Sequence, residues 1–276
     1  PLPEGIRFRL ATDTLETRPD LWVVAVPSQF LRGALLAVAP QVRDRKILSV
    51  VKGIEGGTLL RPSEVIRETV RPAALAVLSG PSHAPEVAAG IPTSVSVASA
   101  AAAFASALQD LLSNERFRVY TNADALGVEL GGCLKQTIAV AAGISDGLGF
   151  GDNTKSALIT RGLAEVTRLG VKLGARRETF FGLSGIGDIV TSSFSRHGRN
   201  RAAGEAVGRG QAVGAVVAGM AQVAEGVPTS RSVRELARRE GGEMPIAEEV
   251  CRVLFEGKPP TAALQDLMMR TLKEEG

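Results

Sequence analysis

Strand-like runs alternate with helix-length segments up to about residue 122, and beyond Thr121 to Asp124 the strand signal stops. That switch constrains the fold more than any other feature of the chain. The runs Leu21 to Val26, Ile47 to Val51, Ala74 to Leu78, Thr93 to Ala98 and Phe117 to Tyr120 are β-branched or apolar, and each ends at Pro, Gly, Ser or Asn, residues that terminate strands. The first two are almost continuously apolar and stand either side of a helix-length segment, Gln29 to Val38, as parallel strands covered on both faces do. Downstream, Val128 to Ala142, Lys155 to Leu173, Arg201 to Val207, Val233 to Arg239, Ala247 to Phe255 and Ala262 to Leu272 read as helices between glycine-rich connections. Ser232 with Glu235 fits a capping box, and Pro259-Pro260-Thr261 gives a stop followed by an N-cap. The expected architecture is a parallel α/β domain over residues 1–122 followed by an all-α domain over residues 123–276.

Composition narrows the function classes. In 276 residues, 45% hydrophobic and 22% charged, there is ample material for a globular core. The net charge of +3 comes from basic residues that are scattered rather than run together, so no nucleic-acid partner is expected. Cys133 and Cys251, with only His83 and His197 beside them, make neither a disulfide framework nor a spaced zinc signature; no metal and a reducing, cytoplasmic setting are expected. No apolar run approaches the roughly 20 residues that span a bilayer, and the start has no export signal. The chain opens on Pro1 and enters a strand-like pattern almost at once, from which missing upstream sequence is expected.

A parallel α/β half invites a nucleotide, yet none of the Gly-x-Gly pairs, beginning at Gly147, Gly149, Gly185 and Gly208, completes a Gly-x-Gly-x-x-Gly fingerprint, and no Walker phosphate loop occurs. The chemistry lies instead in cations set among small residues. Lys52 follows the second strand directly, at the end where open α/β sheets bind ligands, although a solvated strand end would read the same way. Gly80 to Ala84 follows the third strand as a turn whose backbone N–H groups could meet an anion, with Ala84 to Ala88 beginning a helix. Around Lys135, Gly131, Gly132, Ala139 and Ala142 omit side-chain bulk, which implies a close neighbour, helix or ligand; a lysine there loses water and its pKa falls toward what an acid–base group requires. Asp188 closes a glycine-rich turn, and Gly198-Arg199-Asn200 places a guanidinium and an amide at a helix start, a suitable clamp for phosphate. The two cysteines read as small buried hydrophobes and the two histidines as loop donors.

Val26-Pro27-Ser28, Val51 to Glu55, Leu78 to Ser82, Gly127 to Lys135, Ala141 to Asn153 and Gly185 to Asp188 together resemble the bacterial NAD(P)-dependent glycerol-3-phosphate dehydrogenases, in order and from about Pro3 to the last helix. The resemblance implies a Rossmann-type α/β domain, incomplete here, a helical C-terminal domain and an active site between them. It implies reversible hydride transfer between NADH or NADPH and dihydroxyacetone phosphate, giving sn-glycerol 3-phosphate for phospholipid synthesis, in a homodimer. By motif, Lys135 resembles the catalytic proton donor and acceptor. Lys52 falls between cofactor and substrate, and Gly80, Ser82, Asp188, Arg199 and Asn200 match substrate positions. Ala84, Val223, Glu225 and again Arg199 match cofactor contacts. Like-charge repulsion from Lys52 would lower the pKa of Lys135 further.

Three departures stand out. Gln136 occupies the place of the family's usual Asn, Gly198 that of its usual Ser, and the glycine-rich first strand, turn and helix are expected upstream of Pro1, which implies weakened cofactor binding. Two other readings compete: a related hydroxy-acid or ketopantoate dehydrogenase with a carboxylate at Arg199, and a non-catalytic fragment that binds phosphate-bearing metabolites.

Overall fold

The structure is a computed structural model describing residues 5–10, 13, 18–220, 223–272 and 274. Pro1 to Glu4, where the chain's opening was read, lie outside the described residues, as do Lys273, Glu275 and Gly276 at the end of the expected helical domain. Residues 6–10, the strand-like start, form no strand, and Phe8 and Leu10 are exposed. Alternation of side chains alone does not make a strand where no neighbour supplies the ladder hydrogen bonds.

All five expected strands form, as β1 (Trp22–Val24), β2 (Lys46–Ser49), β3 (Ala74–Ser79), β4 (Thr93–Ser99) and β5 (Phe117–Asn122). They lie in one sheet in sequence order. Between them run α1 (Leu31–Val42), α2 (Pro62–Val70), the short α3 (Ala84–Ala88) and α4 (Ala102–Leu112). Adjacent residues of β2 face opposite ways, Ile47 into a core with Leu31, Leu35, Ile66 and Val70, and Leu48 into one with Val95, Val97, Leu108 and Val119. The sheet is thus covered on both sides, which is why its strands read as nearly continuous apolar runs.

The sheet is mostly but not wholly parallel. β1, β2 and β3 pair in parallel, as do β4 and β5, but β4 runs antiparallel to β3, with Val77 opposite Ala98. A parallel return after β3 would need a crossover as long as the strand, about 20 Å for six residues. The five residues of α3 span only about 7.5 Å, so the chain turns back beside β3.

After β5 the chain is helical: α5 (Ala125–Gly147), α6 (Asp152–Lys172), α7 (Asp188–Phe194), α8 (Arg199–Gly208), α9 (Val213–Gly219), α10 (Gly226–Arg239), α11 (Pro245–Phe255) and α12 (Pro260–Met268). Every helix expected in this half begins before its expected first residue, and neither expected cap forms. Ser232 caps nothing, since α10 begins at Gly226 and carries Ser232 buried in its interior. Thr261 is likewise inside α12, whose N-cap is Pro259; proline's fixed φ suits a first helical turn. The last helix ends at Met268 rather than Leu272.

α5 is the axis of this half, buried on every side from Gly127 to Ser145 and packed against α6, α7, α8, α10 and α11. Asp124 caps it, accepting the Gly127 N–H at 2.9 Å, and binds the Arg176 N–H and the Thr179 hydroxyl at 2.8 and 2.7 Å. Where α5 meets α8 the backbones touch: a Cβ on Gly143 would lie 2.0 Å from the Arg201 carbonyl oxygen, and one on Gly204 2.1 Å from that of Val140. Gly204→Ala should therefore force the helices apart and destabilise the fold by about 1–3 kcal/mol, read as a lowered midpoint in thermal or urea unfolding.

Candidate functional site

The site lies where the C-terminal ends of β2 and β3 meet α5 and α7. Lys52 leaves β2 just before Gly53, whose φ of +143° and contact with Ser28, 2.3 Å from a hypothetical Cβ, admit no side chain. The Lys52 ammonium donates to the Gly80 carbonyl at 3.1 Å and to Asp188 Oδ2 at 2.6 Å. Gly80, at φ +146°, turns the chain after β3, and the Ser82 hydroxyl returns to the same Gly80 carbonyl at 3.1 Å.

Lys135 reaches the same carboxylate from α5, donating to Asp188 Oδ1 at 3.1 Å and to Ser192 Oγ at 2.5 Å. The glycines before it serve protein neighbours: a Cβ on Gly131 would stand 2.5 Å from the Ser184 carbonyl oxygen and one on Gly132 2.4 Å from Ser79 Oγ. α5 can therefore lie flush against the end of β3 and the turn Leu183–Gly187, kinked at Gly185, that delivers Asp188 to the start of α7. Ser192 follows Asp188 by one helical turn and shares its Oδ1 at 3.2 Å.

The charges tune one another. Burial lowers the pKa of Lys135, Asp188 raises it, and Lys52 and Arg199 lower it again, leaving it below the ordinary lysine value. Burial alone would raise the pKa of Asp188, but Lys135 and Lys52 outweigh it and hold the carboxylate below its usual range.

A second group of residues adjoins the first. Arg199, exposed at the start of α8, donates to the Val223 carbonyl at 3.3 Å. Asn200 bonds Gln136 and Gly226. The Glu225 carboxylate accepts the Ser28 N–H at 3.1 Å, and burial raises its pKa against the pull of Ser28, Arg199 and Lys135. Gly198 packs closely here, since a Cβ would come within 2.8 Å of the Ser192 carbonyl oxygen and oblige a local shift. Ala84 stands exposed at the first turn of α3. Burial lowers the pKa of His83 against an opposing pull from the Thr191 backbone. Cys133 and Cys251 are buried and unpaired.

Sequence reasoning missed several contributors. Ser192 is signalled only by its spacing of four from Asp188. Arg61 and Ser63, at the start of α2, hold the buried Glu129 of α5 through bonds of 2.6 Å from the guanidinium, 2.7 Å from the Ser63 N–H and 2.8 Å from its hydroxyl. This clips the start of α2 to the helix that carries Lys135.

For a dinucleotide, the donor and acceptor set fits the nicotinamide end. Ser28, Gly53 and Gly80 line the C-terminal ends of three consecutive parallel strands, where open sheets bind ligands. Glu225 beside Ser28 is an acceptor-only group suited to an amide NH2. No glycine-rich pyrophosphate loop occurs among the 276 residues, and none is assigned.

An open α/β sheet with small-residue loops at its ligand end, joined to a helical domain that supplies a buried lysine–carboxylate centre, defines a nucleotide-linked dehydrogenase class. Family models narrow the class: residues 1–105 match the NAD-dependent glycerol-3-phosphate dehydrogenase N-terminus and residues 124–265 its C-terminus. A glycerol-3-phosphate dehydrogenase [NAD(P)+] of Agathobacter rectalis is 47% identical over 277 residues, covering 99% of this chain and 82% of the relative. One from Pelodictyon phaeoclathratiforme is 48% identical, covering 99% and 83%. The crystal structure of glycerol-3-phosphate dehydrogenase from Coxiella burnetii superposes with a TM-score of 0.87 at 39% identity, covering 91% of this chain and 77% of that one. The chain belongs to the NAD-dependent glycerol-3-phosphate dehydrogenase family.

The electrostatics of the pair can be read directly. Removing the positive neighbour with Lys52→Met should move the titration of Lys135 up toward 10.5, and removing the negative one with Asp188→Asn should move it further down. The pH dependence of Lys135 acylation, followed by mass spectrometry, measures both; shifts of the opposite sign would contradict this account.

Proposed function

We propose that this chain reduces dihydroxyacetone phosphate reversibly to sn-glycerol 3-phosphate with NADH or NADPH, the product serving phospholipid synthesis. The observation that carries the reading is the convergence of Lys52 and Lys135 on the single carboxylate of Asp188. Two ammonium groups against one carboxylate leave a net positive charge, and Arg199 stands opposite the Glu225 carboxylate, so cations outnumber carboxylates, a suitable field for a phosphate-bearing substrate and a developing oxyanion.

NAD(P)H, when bound, supplies the hydride. Lys135 donates the proton that the carbonyl oxygen takes up in reduction and accepts it in the reverse direction, and burial, with the nearby charges of Lys52 and Arg199, holds its pKa below the ordinary lysine value, which eases release of that proton. Asp188 orients Lys135 and Lys52 and favours the charged form of Lys135, while Lys52 steadies negative charge on the substrate oxygen. Gly80 and Ser82 line the substrate. Arg199 and Asn200 take the phosphate, whose binding energy positions the carbonyl without entering the reaction. Ala84, Val223 and Glu225, with Lys52 and Arg199, are the proposed cofactor contacts. The division into an NAD(P)-binding domain over residues 1–122 and a catalytic domain over residues 123–276 belongs to the same proposal. β5 ends at Asn122 and α5 begins at Ala125, which supports it.

Among the described residues no helix is long and apolar enough to cross a membrane. A cytoplasmic homodimer is proposed, the setting being supported by two unpaired, buried cysteines. Family membership disfavours the carboxylate-substrate reading.

Dihydroxyacetone-phosphate-dependent oxidation of NADH and of NADPH, followed by absorbance, tests the function; absence of turnover in the folded chain would leave only metabolite binding. Lys135→Ala should lower turnover by about 10²–10⁴-fold with the fold intact by circular dichroism. Arg199→Ala removes a charge-assisted contact of about 1.5–3 kcal/mol and should raise KM for the phosphorylated ketone roughly 10- to 100-fold. It should have little effect on an unphosphorylated one.

A further inference from the structure

Gln136 occupies the centre of a hydrogen-bond chain that joins four separate pieces of the site. Its Nε2 donates to the Lys52 carbonyl at 2.7 Å, its Oε1 accepts from Asn200 Nδ2 at 2.6 Å, and Asn200 Oδ1 accepts the Gly226 N–H at 2.9 Å. The chain runs from the loop after β2, through α5, to the start of α8 and the start of α10. Gln136 itself is buried.

The direction of this relay is fixed by chemistry. A backbone carbonyl can only accept, so Gln136 must turn its NH2 toward Lys52 and its oxygen toward Asn200. Asn200 must then offer its NH2 to Gln136, which leaves its oxygen for Gly226, whose N–H can only donate. No amide in the chain can flip without placing like atoms face to face at both ends. One consequence concerns Asn200: its oxygen and one N–H are committed, so a single N–H remains for a ligand, and its direction is set by Gln136.

We propose that Gln136 is a positioning residue for substrate binding. It fixes the separation between the two lysines, Lys52 after β2 and Lys135 on α5, and the donors at the start of α8, Arg199 and Asn200, and so sets the distance between the groups that meet the two ends of a phosphorylated ketone. The kinetic consequence rests on the proposed function; the relay itself does not. A glutamine reaches one methylene further than an asparagine, which lets one side chain touch both the Lys52 carbonyl and Asn200.

The test uses Gln136→Glu, which turns the donor facing Lys52 into an acceptor while keeping the shape, and Gln136→Met, which removes both polar ends at similar volume. Calorimetric titration with sn-glycerol 3-phosphate alone should show affinity lowered roughly tenfold or more in both variants. Steady-state assays should show KM for dihydroxyacetone phosphate rising by a similar factor and kcat changing much less. A purely structural role would lower the melting temperature without that split. In thermal melts, the effects of Gln136→Met and Asn200→Ala should be markedly less than additive, because either change breaks the same relay. Parent-like glycerol 3-phosphate affinity in both Gln136 variants, or strictly additive melting shifts, would overturn the proposal. Failure of the parent chain itself to bind glycerol 3-phosphate would instead overturn the phosphate reading and with it the substrate-binding role, while the melting cycle, which needs no substrate, would still decide whether the relay exists.

Discussion

One buried carboxylate between two ammonium groups governs the architecture around it. Asp188 reaches Lys52 from the sheet and Lys135 from the long central helix, so its two oxygens join parts of the chain that share no local structure. Each of the three charges would be costly to bury alone; together they are tolerable because every one has a partner. The surrounding features follow from that requirement. Glycines 131 and 132 let α5 approach closely enough for Lys135 to reach, the kinked turn before α7 delivers the carboxylate, and Ser192 supplies the lysine with a second acceptor.

The cluster is deliberately unbalanced. A neutral pair would hold the helices together equally well, yet the second lysine leaves an excess positive charge facing the end of the sheet. Burial and that neighbouring cation depress the pKa of Lys135, while Asp188 opposes the fall. Acid–base competence and anion attraction are therefore two results of one arrangement. The Arg61–Glu129 pair makes a useful contrast: it also joins α5 to the α/β half, through the start of α2, but Glu129 has its acceptors taken by Arg61 and Ser63, and it serves as a fastening.

Much of this was legible in the chain itself, for identifiable reasons. The five strands stood out because a sheet covered on both faces needs apolar runs, and Lys52 and Lys135 stood out because a strand end and a glycine pair mark their positions. The direction of β4 was not legible, since alternation with a period of two is the same in either direction; the shortness of α3 decides it. Ser232 carried a capping signature that the longer α10 overrode by burying it. The sharing of Asp188 lay beyond any local pattern, because its partners are 136 and 53 residues away in sequence. Gln136 registered only as a departure from the family's usual residue, and its partners became visible only in the folded chain.

The glycine-paved crossing of α5 and α8 has a mechanical meaning. Lys135 lies eleven residues beyond the cap at Asp124, about 16 Å along the helix, so α5 is a lever arm on which each degree of tilt carries the ammonium sideways by about 0.3 Å. A reacting group has a tolerance of roughly 0.5 Å, less than two degrees of swing. Side chains at the crossing would act as compliant spacers, each with rotamers to yield into. Backbone resting on backbone has no such slack, and the stiffness of that joint keeps the far end of the lever on target.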